Sequence, residues 1–319
     1  MTCRVCGSND TSILPIGRYA EFFLLRIDTK KDDFQLYSRV DSIPVDPTFS
    51  LPIRALRKAR RVLFSPKPRP AAQFRTHMQA CGSCHAITPC HEYSFQDLLG
   101  LYRDYRSETY NKDRIYVEPD YARIAKNVGN DPIEINNRNT AVDRFLSKNA
   151  SHFAGGAMVD YGGSDGRFIP SFAYGQFESI DIYDVSKAPL HSSVDARKVK
   201  KIAEPRLEAY SFLTCMHVLE HVGNPRSLVA ETMRLLAPGG LIYIEVPLEL
   251  TQSMREDFAQ RIMDAPIIIH EHLNKFDCTS IRSLVKSIAG LELVDDAEDI
   301  VEHGWVNGLN GRFLARKIK

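Results

Sequence analysis

The chain has 319 residues, with 41 lysines and arginines against 40 aspartates and glutamates. That length can bury a substantial core and suits about two domains. A net charge of +1 gives no global attraction to nucleic acid or to a membrane surface. No stretch is apolar over the length needed to span a bilayer, and Met1-Thr2-Cys3-Arg4-Val5-Cys6 opens without the apolar region of a signal peptide. A soluble, cytoplasmic protein is expected.

Four of the seven cysteines form two C-x-x-C pairs, Cys3/Cys6 and Cys81/Cys84. In a reducing compartment such pairs favour metal over disulfides. Two thiolates this close in sequence can reach one ion, and Gly7 lets the backbone turn back beneath the first pair. Together the four predict a closed, all-thiolate structural zinc site, with Cys90, His85 and His91 as alternative ligands. A thiol-redox role would need a strand-helix context that neither pair has. Residues 1–95 therefore read as a zinc-ribbon-like region carrying a long insertion, about 24–75.

Within that insertion Phe22-Phe23-Leu24-Leu25 at its border and Phe34-Gln35-Leu36-Tyr37 could be strands, and prolines punctuate the rest. Ile53 to Phe64 could form a short basic helix, and residues 53–70 hold Arg54, Arg57, Lys58, Arg60, Arg61, Lys67 and Arg69 with no acid among them. Such a run can touch phosphate on RNA, on a nucleotide sugar or on an anionic membrane surface; a solvated basic face is the plainer reading. Residues 96–149 form a helical, tyrosine-rich connecting segment. Ser94-Phe95-Gln96-Asp97 resembles a capping box, a helix is expected from about Phe95 to Tyr105, and a polar one from Asn137 to Ser151. Tyr102, Tyr105, Tyr110 and Tyr116 could line an acceptor pocket or pack the helix onto its neighbour.

From residue 150 strand and helix signals alternate, the pattern of a parallel sheet covered on both faces. Ala157 to Tyr161 is a strand that ends in Asp160 and breaks into Gly162-Gly163-Ser164-Asp165-Gly166. Glycines suit a turn that needs unusual φ/ψ values and a ligand approaching bare backbone, so a nucleotide-like cofactor is expected there. Phe177 to Asp184 is the second strand. A carboxylate at its end can accept from both hydroxyls of a ribose, which selects Asp184, with Asp181 in reserve. Ala209 to Met216 is a further strand; a helix follows and stops at Ala237-Pro238-Gly239-Gly240, and Leu241 to Val246 is a strand apolar enough for the middle of the sheet.

Val159-Asp160-Tyr161-Gly162-Gly163-Ser164-Asp165-Gly166, Tyr183-Asp184-Val185-Ser186, and His217-Val218-Leu219-Glu220-His221-Val222 through Pro238-Gly239-Gly240 to Glu245-Val246-Pro247, in this order and spacing, resemble the class I S-adenosylmethionine (SAM)-dependent methyltransferases. The resemblance covers residues 150–319 and implies a Rossmann-like α/β domain with a mostly parallel seven-stranded sheet whose last strand, near Gly311 to Lys317, is antiparallel. It implies that Asp160, Gly162, Gly163 and Gly166 serve the methionyl portion of SAM, that Asp184 holds the ribose, and that Met216 and His217 lie beside the sulfonium. The two cysteine pairs, the tyrosine segment and His270-Glu271-His272-Leu273 resemble a zinc-ribbon-containing subgroup that methylates sugars in surface-polysaccharide and secondary-metabolite pathways. That similarity implies a small-molecule or glycan acceptor, with His272 and Glu271 as the catalytic pair. His221 and Glu220 are read as capping the helix after the fourth strand. Ser164 stands in a glycine slot of the family turn, and Ile269 where sugar C-methyltransferases have a tyrosine, so O-methylation fits no worse than C-methylation. Two readings compete with a sugar methyltransferase: an RNA methyltransferase gripping phosphates with ribbon and insertion, and a noncatalytic carbohydrate-binding or scaffold protein.

Overall fold

The computed structural model describes residues 1–15, 22, 26, 77–186, 188–249, 271–302 and 307–318. The basic stretch 53–70, the strand expected at 34–37, most of that at 22–25, and Ile269 and His270 lie outside those residues. A three-stranded antiparallel sheet is formed by β1 (Thr11–Pro15), β2 (His77–Cys81) and β3 (Ile87–Pro89), in that order. Helices α1 (Phe95–Leu101), α2 (Glu108–Val117) and α3 (Pro132–Lys148) follow. The larger domain then runs β4 (Ala157–Tyr161), α4 (Ser171–Gln176), β5 (Ser179–Tyr183), β6 (Val199–Lys201), β7 (Tyr210–Met216), α5 (Pro225–Thr232), β8 (Leu236–Pro247), α6 (Cys278–Lys286), β9 (Leu291–Glu302) and β10 (Asn307–Lys317).

These seven strands make one sheet, ordered β6-β5-β4-β7-β8-β10-β9. Strands β4 to β8 are parallel, and β10 runs antiparallel to both β8 and β9. This is the Rossmann-like sheet of the sequence reading. The chain winds outward from β4 to β6, then returns to place β7 on the other side of β4. That reversal opens a crevice at the carboxyl ends of β4 and β7, where open α/β sheets bind ligands.

Alternation along each strand sorts side chains to two buried faces. Val159, Leu213, Cys215 and Ile244 face α5, α6 and the ribbon residues Val5 and Ala86. Met158, Phe212, Met216 and Tyr243 face Val142, Phe145 and Leu146 of α3 and Ala173 of α4. Helix α3, which the sequence grouped with the connecting segment, therefore packs into the core of the larger domain. It also begins earlier than expected: Asp131 caps Ile133, and Pro132 is the first helical residue, where a missing N–H costs nothing.

Other boundaries also shift. The first expected helix is complete by Leu101, with Ser94 and Asp97 capping each other reciprocally, so aspartate fills the role of the usual glutamate. Ala237-Pro238-Gly239-Gly240 does not end a helix; it lies inside β8, beyond α5. A Cβ on Gly240 would come within 2.9 Å of the Ala237 carbonyl and 3.1 Å of that of Tyr210, so the approach of β7 requires glycine there. Strand β9 escapes sequence reading because its alternation is masked by Glu292, Asp295, Asp296, Glu298 and Asp299. It is an edge strand, and its charges discourage pairing with another chain.

Inside the sheet Arg312 of β10 lies directly opposite Glu245 of β8, and both are fully buried. Arg312 Nε is 3.2 Å from one Glu245 oxygen, which also accepts from the Tyr243 hydroxyl at 2.9 Å; the other accepts from Arg138 at 3.2 Å. Burial alone would push the Glu245 carboxyl up, but its hydrogen bond with His217 and the neighbouring guanidinium of Arg138 outweigh it and hold the group well below the usual carboxylate range. Removing one partner strands buried charge, so Arg312→Ala should lower unfolding stability by about 3–5 kcal/mol in urea titration; a loss below about 1 kcal/mol, the value of an exposed pair, would contradict this.

Candidate active site

The turn after β4 crosses into the left-handed region three times, at Gly162 (φ 79°), Ser164 (φ 49°) and Gly166 (φ 81°). Two of its glycines leave no room for a side chain. A Cβ on Gly162 would lie 2.4 Å from Val218, and one on Gly163 would lie 2.2 Å from the Asp160 carboxylate. Asp160 is buried beneath the turn; one oxygen accepts from Thr214 at 2.7 Å and the other has no protein partner. Burial pushes its pKa up to about 6. A bare-backbone cradle over an unpartnered buried carboxylate fits a ligand that supplies a polar or cationic group, as the amino-acid end of SAM does.

Asp184 closes this turn. One oxygen accepts from the Ser164 N–H at 2.9 Å, the other from the Ser186 N–H at 2.6 Å. Each oxygen keeps a second lone pair, so tying the loop does not use up its capacity to accept from a ribose. Ser164 adopts the backbone shape of the glycine it replaces and hands its N–H to Asp184.

At the end of β7, Met216 is buried against the α3 face, and His217 takes a left-handed conformation (φ 55°). Its Nε2 is 3.1 Å from Glu245 and its Nδ1 3.3 Å from Glu220. The ring is thus held between two fully buried carboxylates. Val218, the next residue, packs over Gly162, so the loop after β7 starts against the glycine turn. His221 Nδ1 lies 2.8 Å from the Glu271 carbonyl, and burial depresses its pKa to about 4, so the ring is neutral near pH 7.

His272 faces this ring, with centroids 4.9 Å apart. Its Nδ1 is 2.9 Å from Glu249, not Glu271. Burial lowers the His272 pKa, but the Glu249 charge and hydrogen bond outweigh that and raise it. The Glu271 carboxylate turns the other way, to Arg114 at 2.7 Å and the Tyr110 hydroxyl at 3.0 Å, while its carbonyl accepts from Tyr102 at 2.6 Å. Sequence reading missed Glu249; the signal was its position two residues beyond Pro247, at the carboxyl edge of β8. The tyrosines divide. Tyr110, Tyr105 and Tyr102 form a series of edge-to-face contacts reaching His221, with centroids 5.1–5.9 Å apart. Tyr116 and Phe95 point to solvent.

At the other end, the four expected thiols converge, all within 4.8 Å of one another. Cys3–Cys84 and Cys6–Cys81 sulfurs are 3.7 Å apart. A tetrahedral ion with bonds near 2.3 Å separates sulfurs by about 3.8 Å, so the set fits zinc, whereas a disulfide needs about 2.05 Å. The two knuckles share one geometry: Gly7 N donates to the Cys3 carbonyl and His85 N to that of Cys81, both at 2.9 Å, and His85 (φ 64°) takes the left-handed place that Gly7 (φ 80°) fills in the first.

A family model described as a methyltransferase domain matches residues 135–295, just over half of the chain. The protein belongs to that family, the class I SAM-dependent methyltransferases. Among relatives of this methyltransferase, a ubiquinone biosynthesis O-methyltransferase from Burkholderia vietnamiensis is 32% identical, over 29% of this chain and 45% of that enzyme. One from Acinetobacter baylyi is 26% identical, over 31% of this chain and 47% of that enzyme. The chain spans about half the length of the curated relatives it matches. A solved structure of Burkholderia thailandensis 1,6-didemethyltoxoflavin-N1-methyltransferase, with that compound and S-adenosylhomocysteine bound, is similar at a TM-score of 0.48 and 15% identity, covering 79% of this chain and 99% of that one.

The methyltransferase turn predicts its own improvement. Ser164→Gly removes the left-handed strain of an L-residue, a cost of about 1–2 kcal/mol partly offset by the freer unfolded chain. Thermal unfolding should show a stabilisation of up to about 1 kcal/mol; a destabilised variant would mean that the Ser164 side chain holds the turn.

Proposed function

We propose that this methyltransferase transfers the methyl group of SAM to a hydroxyl of a small-molecule acceptor, a sugar that is nucleotide-linked or part of a growing surface glycan. The observation that carries this reading is the run of rings from Tyr110 through Tyr105 and Tyr102 to His221 and His272, set against the segment that touches the glycine turn. Tyr110 is fully buried and the Tyr102 hydroxyl goes to the Glu271 and His221 carbonyls, so these two back the partly exposed Tyr105 and His272, whose faces and edges suit a ring that is apolar on its faces and polar at its rim. The relatives named as O-methyltransferases support an oxygen acceptor.

Asp160, Gly162, Gly163 and Gly166 would cradle the methionyl end of SAM, Asp184 its ribose, and Met216 and His217 would border its methyl-bearing sulfur. SAM supplies an electrophilic methyl group when bound. For an in-line displacement on that methyl group, the acceptor hydroxyl would have to lose its proton, and the His272 imidazole would take it up. Positioning supplies much of the acceleration and the base the rest. Glu271 serves as a brace, fixing the tyrosine segment through Arg114 and Tyr110. Cys3, Cys6, Cys81 and Cys84 would hold one structural Zn2+, with no coordination position left for substrate. No helix among the described residues is long and apolar enough to cross a membrane.

Incubation with methyl-labelled SAM and a panel of nucleotide sugars, glycan extracts and RNA tests the acceptor class. Label should appear on a sugar oxygen, and His272→Asn should lower kcat by about 10²–10⁴ with little change in SAM affinity, measured by calorimetry. Label confined to RNA, or full turnover by the variant, would reject the reading.

A further inference from the structure

We propose that Glu249 is the positioning residue for His272, and that Lys275, pinned by the ribbon, holds Glu249 in place. The inference rests on the reading of His272 as the base and assigns it a partner other than the adjacent Glu271. Three observations carry it.

The first is geometry. Glu249 Oε1 lies 2.9 Å from His272 Nδ1, and its Oε2 forms an ion pair with Lys275 Nζ at 2.5 Å. A carboxylate on Nδ1 accepts that N–H, which fixes the tautomer with its lone pair on Nε2, orients the ring and stabilises the imidazolium formed when a proton is taken up.

The second is that Glu271 is committed elsewhere, between Arg114 and Tyr110.

The third is that both ends of the Glu249 contact are anchored. Leu248 N donates to the Leu309 carbonyl at 2.8 Å, and Leu248 bridges Phe276. Lys275 is buried, and its backbone exchanges both hydrogen bonds with Ile87 of β3, at 2.9 and 3.1 Å. The ribbon thus sets the height of Lys275, Lys275 the place of Glu249, and Glu249 the ring.

Among the described residues, the charges that act most on His272 are Glu249, Lys275 and Glu220, with the His221 ring beside it. Burial and Lys275 both favour the neutral ring, so without the Glu249 charge its titration midpoint must move down. For Glu249 itself, burial would raise the pKa, but Lys275 and His272 outweigh it, and it stays ionised.

The test compares Glu249→Gln and Glu271→Gln in the full chain. The His272 imidazole resonance, assigned by its absence in His272→Asn, is titrated by NMR beside a pH–rate profile. Glu249→Gln should lower the midpoint, move the rising limb of the profile to lower pH and cut kcat/KM by about ten- to a hundredfold, the usual effect of removing a histidine's orienting partner. Glu271→Gln should leave the midpoint in place while lowering thermal stability. An unmoved midpoint in Glu249→Gln, or an equal shift in Glu271→Gln, overturns the assignment. Full activity of His272→Asn would overturn the base itself while the NMR titration still reported on the contact, so the two failures are distinguishable.

Discussion

The pair of backbone hydrogen bonds between Ile87 and Lys275 is the constraint on which the site depends. It ties the edge of a small antiparallel ribbon to residues 271–277, a stretch that lies outside any helix or strand. Buried backbone groups need partners, and an irregular segment finds them only in its neighbours. Asn274 supplies more: its N–H donates to the Glu220 carbonyl, and its side-chain amide to those of Leu219 and Val222. At the far end Asp277 caps α6 and meets His85 at 3.1 Å, while Ser280 donates to the Cys84 carbonyl. Ribbon, residues 271–277 and the loop after β7 are therefore one connected unit, and the converging thiols sit where they can stiffen it.

Around this unit lies an unusual density of buried charge. Glu245, Glu220, Arg312, Arg114, Arg138 and Glu271 are all buried. Each charge must keep its partners, because an unpaired charge in the interior is far more costly than an exposed one. The partners come from distant parts of the chain: Arg138 from α3, Arg312 from β10, Arg114 from α2. Such a network specifies how the helices, sheet and loops meet as much as it stabilises them, and it gives the carboxyl edge of the sheet fixed electrostatics around His217, His221 and His272.

The fold was legible where one local signal decided it. The glycine turn, the continuous apolar strands and the paired cysteines each have a physical reason tied to a few neighbouring residues, and they identified a class I methyltransferase with an antiparallel last strand. Partner choice was less legible. Nothing in His270-Glu271-His272 says that the Glu271 carboxylate turns to Arg114, more than 150 residues away in sequence, or that Glu249 meets the imidazole. Ser94-Phe95-Gln96-Asp97 could be read because a cap is local, whereas β9 could not, since its acids obey the demands of a sheet edge instead of a buried face. The placement of Asp184 was readable, but its grip on the Ser164 N–H was not, because it depends on the left-handed turn of another loop.

Hydrogen exchange at residues 274–277, measured by mass spectrometry with zinc supplied and after chelation, tests the central claim that the ribbon clamps the segment carrying Glu271 and His272. Loss of the metal should loosen the knuckles and release the Ile87–Lys275 bridge, so exchange at Asn274 and Lys275 should accelerate while the core of β7 stays protected. Unchanged protection at those amides in the metal-free protein would show that the segment stands without the ribbon, and would contradict the account.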